Sequence, residues 1–258
     1  MSLESSYNTR RAHIQAHYLL PYLRPHHSVL DVGSGSGSIT RDLASICKDG
    51  QTIGIDISPA MVKFAQETQA RHDDGGGAGA APRNLSFRVG DAQDLSAFGD
   101  GSFDVVHAHT CCTHVADPVR ALREFRRVLK PGGVAALRDP LDIVREVKWT
   151  PHVPGLELHA VYAAALLEAR GGHPRAGSML EAWAREAGFA RVVCAVGEER
   201  SAEALQVVGR GIGVDDALAE GILTVEELAR LRAAYEVWAG TEGRDKIGLC
   251  AEVLCFKD

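Results

Sequence analysis

The sequence predicts an α/β fold, a parallel sheet covered by helices on both faces. Two observations carry that expectation. Short apolar runs alternate with helix-period segments through the first half of the chain, and the first run passes directly into a turn built on three glycines. Parallel strands need long crossovers, and helices supply them on both sides of the sheet.

The strands are expected at "HSVLDV" (27–32), "QTIGIDI" (51–57), "NLSFRVG" (84–90), "SFDVVHAH" (102–109) and "GVAALRD" (133–139), with later ones at "ARVVCAVGE" (190–198) and "KIGLCAEVLCF" (246–256). Helices fill the gaps. In "SPAMVKFAQETQARH", Ser58 serves as the cap and Pro59 takes the first helical position, where a missing N–H costs nothing. Asp117 and Pro118 repeat the arrangement, with Val119, Leu122, Phe125 and Leu129 on one face and Pro131-Gly132-Gly133 as the stop. A further helix over 174–189 ends at Gly188, and Thr224 with Glu227 forms a capping box ahead of another. The stretch "DDGGGAGAAP" (73–82) reads as a flexible surface loop.

At 258 residues this is one decorated domain, 1–258, with its core over 10–140, 174–198 and 246–258. Two insertions, 140–173 and 199–245, exceed what connectors need and are expected to be helical lids. A formal charge of −6 argues against a general nucleic-acid binder. No apolar run approaches the roughly 20 residues of a membrane span, and the N-terminus lacks the apolar centre of a secretory signal, so a cytoplasmic protein is expected. Six cysteines without CxxC spacing fit reduced thiols.

In "VLDVGSGSGSIT" (29–40), Gly33, Gly35 and Gly37 leave no Cβ between a ligand and the backbone amides ahead of the next helix. A dinucleotide loop would read G-x-G-x-x-G, whereas position 38 is serine. Asp31 would repel a pyrophosphate but suits an ammonium group, which favours a zwitterionic ligand. Asp56 closes the second strand, where acceptors take ribose hydroxyls. After the third, Asp91 is placed to accept from an adenine amino group, with Ala92 offering its N–H.

Together "LDVGSGSGSIT", "GIDISPAMVKFA", "GDAQDLSAFGDGSFDVVHAH" and "DPVRALREFRRVLKPGGVAALRD" closely resemble class I S-adenosylmethionine-dependent methyltransferases. Within that class the chain is most similar to the ubiquinone/menaquinone-biosynthesis methyltransferase-like group of small-molecule enzymes. The resemblance covers roughly residues 10 to 140. It implies a Rossmann-like, seven-stranded sheet whose last strand, 248–256, inserts antiparallel, and S-adenosylmethionine as cofactor, leaving S-adenosylhomocysteine. By matching position, Gly33, Gly35 and Gly37 would pass its methionine part, with Asp31 near the amine, Asp56 on the ribose and Asp91 at the adenine. Ser34, Ile57, Ala92 and His107 complete the implied cofactor set. The chain departs from its relatives at "TCCTHVADP" (110–118), where they carry a glutamine and aliphatic residues.

Methyl transfer from a sulfonium is a direct displacement, so alignment and exclusion of water dominate. A phenol, amine or acidic carbon acceptor would also use a general base, and histidine suits that near neutral pH. His107, His109 and His114 cluster at the end of the fourth strand, and His109 and His114 are the favoured catalytic pair. No carboxylate or thiolate set completes a metal site around them. Vicinal Cys111 and Cys112 invite a thiophilic reading, but several converging thiols would be needed, so they are read as small lining residues. Trp149, His152, His159 and Tyr162 in the first insertion are expected on the acceptor side; the aromatics serve equally well as lid core. The leading expectation is a small-molecule methyltransferase. The rivals are a non-methylating protein that keeps the cofactor fold and an NAD-dependent oxidoreductase; a macromolecular methyltransferase would need a basic docking surface, which is not visible.

Overall fold

A computed structural model describes residues 10–73, 82–200 and 214–258. The glycine-rich 74–81 and part of the second insertion, 201–213, lie outside the described residues.

Eight strands form one sheet. They are β1 (Val29–Val32), β2 (Thr52–Asp56), β3 (Leu85–Val89), β4 (Phe103–His109), β5 (Leu129–Pro140), β6 (Val147–Thr150), β7 (Arg191–Arg200) and β8 (Asp245–Phe256). The order β3-β2-β1-β4-β5 is parallel throughout, and β8 then pairs antiparallel with β5 and β7. The eighth strand, beyond the seven expected, is β6. This four-residue strand in the first insertion pairs with Asp245–Gly248 at the start of β8, so that insertion is not purely helical.

The helices follow the amphipathic pattern of the chain. They are α1 (Ala12–Gln15), α2 (Ser38–Ile46), α3 (Pro59–Asp73), α4 (Pro118–Val128), α5 (Glu157–Ala169), α6 (Ala176–Glu186), α7 (Val214–Ala219) and α8 (Val225–Ala239). One face of the sheet, with Leu30, Val32, Ile53, Val106 and Leu137, buries Leu122 and Phe125 of α4 and Leu180 of α6. Leu122 and Phe125 are fully buried and contribute about 2 kcal/mol each. On the opposite face, Val29, Val105, Val134 and Ala136 meet α1, Leu19 and Leu43 of α2. The insertions make their own core, in which Leu156 and Tyr162 pack with Leu228, Leu231, Tyr235 and Trp238 of α8.

The caps are as the sequence predicts. Asp117 accepts from the Arg120 N–H at 2.9 Å, and Thr224 and Glu227 make both hydrogen bonds of the capping box. The stop after α4 differs. Leu129 already leaves the helical conformation and pairs with Phe103, so Pro131-Gly132-Gly133 falls inside β5, at an irregularity where the β4–β5 register shifts. Helical propensity gives way there to the pairing of two strand ends.

Candidate active site

The parallel strands put their carboxyl ends together, and open α/β sheets bind ligands at that edge. A cavity of about 380 Å³ lies there, between the glycine loop, the start of α2 and the end of β4. Asp31, Gly33, Ser34, Gly35, Asp56, His107, His109 and His114 line it, eight of the residues singled out from the sequence.

The loop is shaped by its glycines. Gly33, Gly35 and Gly37 all have positive φ, and the Gly35 N–H donates to Asp56 Oδ2 at 2.9 Å. Asp56 Oδ1 accepts from the Ser58 N–H at 2.9 Å, so one carboxylate ties the end of β2 to the loop. Gly37 has a different task. A Cβ there would sit 2.3 Å from Phe87 Cζ, so this glycine lets α2 approach the sheet and does not itself line the cavity.

Asp31 is buried at mid-sheet. The Thr40 hydroxyl donates to its Oδ2 at 2.5 Å, and Nδ1 of His107 lies 2.7 Å from its Oδ1. The parallel register sets Asp31 beside His107, and Nε2 of His107 has no protein partner. His109, two residues on, faces the same way and is 7% exposed, with neither ring nitrogen hydrogen-bonded. Burial holds its pKa well below the ordinary imidazole value, and Arg10, Arg138 and His107 push the same way. His109 is therefore a neutral ring with an available lone pair. His114 is solvent-accessible at the mouth, where surrounding protein and Arg10 lower its pKa as well.

Other expected residues stand elsewhere. Asp91 accepts from the Gln93 N–H at 2.8 Å and Ala92 is in the core; neither, nor exposed Ile57, belongs to the cavity wall. Burial raises the Cys111 thiol pKa, and the carboxylates of Asp139, Asp56, Asp31 and Asp91 push the same way. Cys112 is raised likewise, so neither cysteine is a thiolate. Among the described residues, no group of three or more His, Cys, Asp or Glu is arranged to hold a metal ion.

Trp149, His159 and Tyr162 are brought together, but in the core of the insertions. The Trp149 ring meets His159, Tyr235 and Trp238 edge-on, and the Tyr162 hydroxyl lies 3.2 Å from His159 Nδ1. His152 is exposed nearby. None of the four lines the cavity.

The cavity wall also contains Arg10, Ser36, Ser38, Ile39, Met61 and Thr110, which motif reading does not find. Ser36 and Ser38 lie between and after motif glycines and were within reach of that reading. Arg10 precedes the motifs by some twenty residues, and Thr110 is marked only by its backbone. Its φ of 52° is the left-handed conformation that a threonine rarely adopts, and its N–H donates to the Arg138 carbonyl at 2.7 Å.

Comparison with known proteins agrees with this architecture. Residues 30–137 match the family described as "Methyltransferase domain". An uncharacterized methyltransferase of Schizosaccharomyces pombe is 31% identical over 172 residues, 67% of this chain and 60% of that one. A demethylmenaquinone methyltransferase of Symbiobacterium thermophilum is 36% identical over 115 residues, 43% of this chain and 42% of that one. The chain spans about half the length of the curated relatives it matches, 47%, 60% and 55% for three of them. In fold, it is similar to a crystal structure of a SAM-dependent methyltransferase from Methanosarcina mazei, with a TM-score of 0.58, 23% identity, and coverage of 93% of this chain and 96% of that one.

A Rossmann-like sheet with an acid-flanked glycine loop at its carboxyl edge defines a nucleotide-type cofactor domain. Residues 30–137 match a methyltransferase domain, and the cofactor that the resemblance to class I methyltransferases implies for it is S-adenosylmethionine. The residues present fit it. The loop offers bare backbone, Asp31 and Asp56 offer acceptors for an ammonium and a hydroxyl, and the cavity has the volume of a small organic molecule.

Proposed function

We propose that the protein transfers a methyl group from S-adenosylmethionine to a small organic acceptor, with His109 and His114 on the acceptor side. The observation that carries this reading is His109: a buried imidazole in the cavity wall, neutral, with both ring nitrogens unpartnered. A buried polar ring without partners is costly unless a ligand satisfies it.

When bound, the cofactor supplies an electrophilic methyl on a sulfonium. The chain does the rest. Asp56 holds the glycine loop and accepts from the ribose, and Asp31 lies beneath the loop for the amine. Gly33, Ser34 and Gly35 present backbone to the methionine part. His109 takes a hydrogen bond or a proton from the acceptor as its lone pair turns toward the methyl, and His114 closes the mouth. The cavity wall keeps water from the reacting atoms. Curated relatives named for quinone biosynthesis support an organic small molecule as acceptor.

The test is incubation of the protein with isotope-labelled S-adenosylmethionine and a pool of small metabolites, read by mass spectrometry. A metabolite that gains the label, and gains it more slowly with His109→Ala at unchanged cofactor affinity, is the expected result. Cofactor binding with no labelled product across pools from several sources would replace this reading with that of a non-methylating protein on the same fold.

A further inference from the structure

One row of side chains crosses the sheet at the level of His109. In the parallel pairing of β4 with β5, His109 stands beside Arg138, and in the antiparallel pairing of β5 with β8, Arg138 stands beside Glu252. Paired residues in adjacent strands point to the same face, about 5 Å apart. Arg138 is 1% exposed and held from three sides. Its Nε donates to Glu252 at 3.2 Å, its Nη2 donates to the Glu198 carbonyl at 2.8 Å, and its Nη1 pairs with Glu199.

The order of the row matters. Both carboxylates sit on strands beyond β5, so the guanidinium stands between them and His109. The nearest fixed charge on the β5 side of the imidazole is therefore positive. Further cations or imidazoles face it from elsewhere: Arg10 from the N-terminal segment, His107 from its own strand and His114 from the following loop. Asp31 is engaged by His107 and Thr40, Asp56 by the glycine loop, and the Tyr18 phenol lies near Arg138, with its hydroxyl unpartnered.

We infer that Arg138, fixed by Glu199 and Glu252, is a positioning residue that adds to burial and Arg10 in keeping His109 uncharged, so that the ring meets the acceptor with a free lone pair. This rests on the proposed function for its purpose, but the electrostatic relationship itself does not depend on any acceptor. The backbone carbonyl of residue 138 accepts from the Thr110 N–H, a bond that holds the turn after His109 whatever side chain stands at 138. A hydrophobic residue at 138 would pack there but would leave the buried Glu252 carboxylate and the half-buried one of Glu199 without their cation.

The experiment is a proton NMR titration of the full chain with ¹³C-labelled histidine, the His109 resonance being assigned by its loss in His109→Gln. In the unaltered protein His109 stays neutral to pH values below the ordinary imidazole range. Arg138→Met raises its midpoint by one pH unit or more, a tenfold change in proton affinity, whereas Arg138→Lys keeps it near the original. Should Arg138→Met not fold, Glu252→Gln supplies the opposite sign: loss of a compensating carboxylate lowers the midpoint further. A His109 midpoint that moves in neither Arg138→Met nor Glu252→Gln overturns the inference. Because the readout needs neither cofactor nor acceptor, failure to find a methylated product leaves it standing. A moved midpoint alongside an absent product would separate the two claims.

Discussion

His107 Nδ1 and Asp31 Oδ1 lie 2.7 Å apart in the middle of the sheet, both almost wholly buried. The pair joins β4 to β1 directly beneath the glycine loop, with Thr40 of α2 as its third member. Removing one partner of such a pair strands the other in low dielectric. His107→Leu is expected to lower unfolding free energy by about 3 kcal/mol and to weaken S-adenosylmethionine binding, read by denaturant titration and calorimetry. A stability loss within 0.5 kcal/mol (approximately the scatter of surface substitutions) would mean that Asp31 is held by Thr40 alone.

Gly37 and Gly132 share nearly the same backbone, φ 75° and 76°, in different surroundings. A Cβ on Gly37 meets Phe87 at 2.3 Å, whereas one on Gly132 meets nothing within 4 Å. Gly132→Ala should therefore cost about 1 kcal/mol, the left-handed penalty alone. Gly37→Ala should cost that plus about 2 kcal/mol of overpacking, partly recovered by Phe87→Leu in the double variant. Equal losses by thermal unfolding would show that α2 shifts freely.

Asp56 has structural and binding work on the same carboxylate. Asp56→Ala removes the acceptor of the Gly35 and Ser58 N–H groups along with any contact to a ribose. Cofactor affinity should fall roughly 10- to 100-fold, the range for hydrogen bonds to a charged group. Unchanged affinity in calorimetry would sink the ribose assignment.

Asp139 is completely buried behind the loop that carries Thr110 and His114. Its Oδ1 accepts from the Thr113 N–H at 2.9 Å, and its Oδ2 has no partner. Burial pushes its pKa up to about 7, against opposition from the Thr113 and Cys112 donors and Arg138. A folded pKa above the unfolded one means the folded state binds the proton more tightly. Its contribution is full below the unfolded carboxylate pKa and is lost as pH rises through about 7. Asp139→Asn keeps an acceptor for Thr113 and should flatten stability between pH 4 and 7 (roughly the titration window) while gaining a few kcal/mol at pH 8. A variant whose pH profile of Tm parallels that of the unaltered chain would refute the assignment.

Trp149 packs against His159, Tyr235 and Trp238, with the Lys246 ammonium 5.1 Å from its ring centre. Trp149→Ala should destabilise by about 3 kcal/mol and leave S-adenosylmethionine affinity unchanged. Slower methyl transfer at saturating cofactor without a change in Tm would return this residue to the acceptor side.

The cavity's glycine loop and its two acids were legible because their pattern is local: a strand, three glycines and two acids are written within thirty residues, and one turn geometry brings them to one cavity edge. The Asp31–His107 pair was half legible. Both residues stood out, but their contact depends on the register between strands 76 positions apart, which no local pattern encodes. Arg138 was hidden for the same reason, since its meaning lies in its neighbours on β4 and β8. Trp149, His159 and Tyr162 mixed aromatic and titratable groups, a composition shared by binding pockets and by small insertion cores. Only the packing partners on α8 place them among the latter.

Strand β8 serves two masters along its twelve residues. Its first four pair with β6 of the insertion, and its last seven pair with β5 of the central sheet. The first insertion is thus cantilevered from a continuous beam and cannot swing on a flexible joint at that attachment without tearing a ladder of backbone hydrogen bonds. Slow amide exchange from Lys246 to Gly248 would be the kinetic signature of this beam.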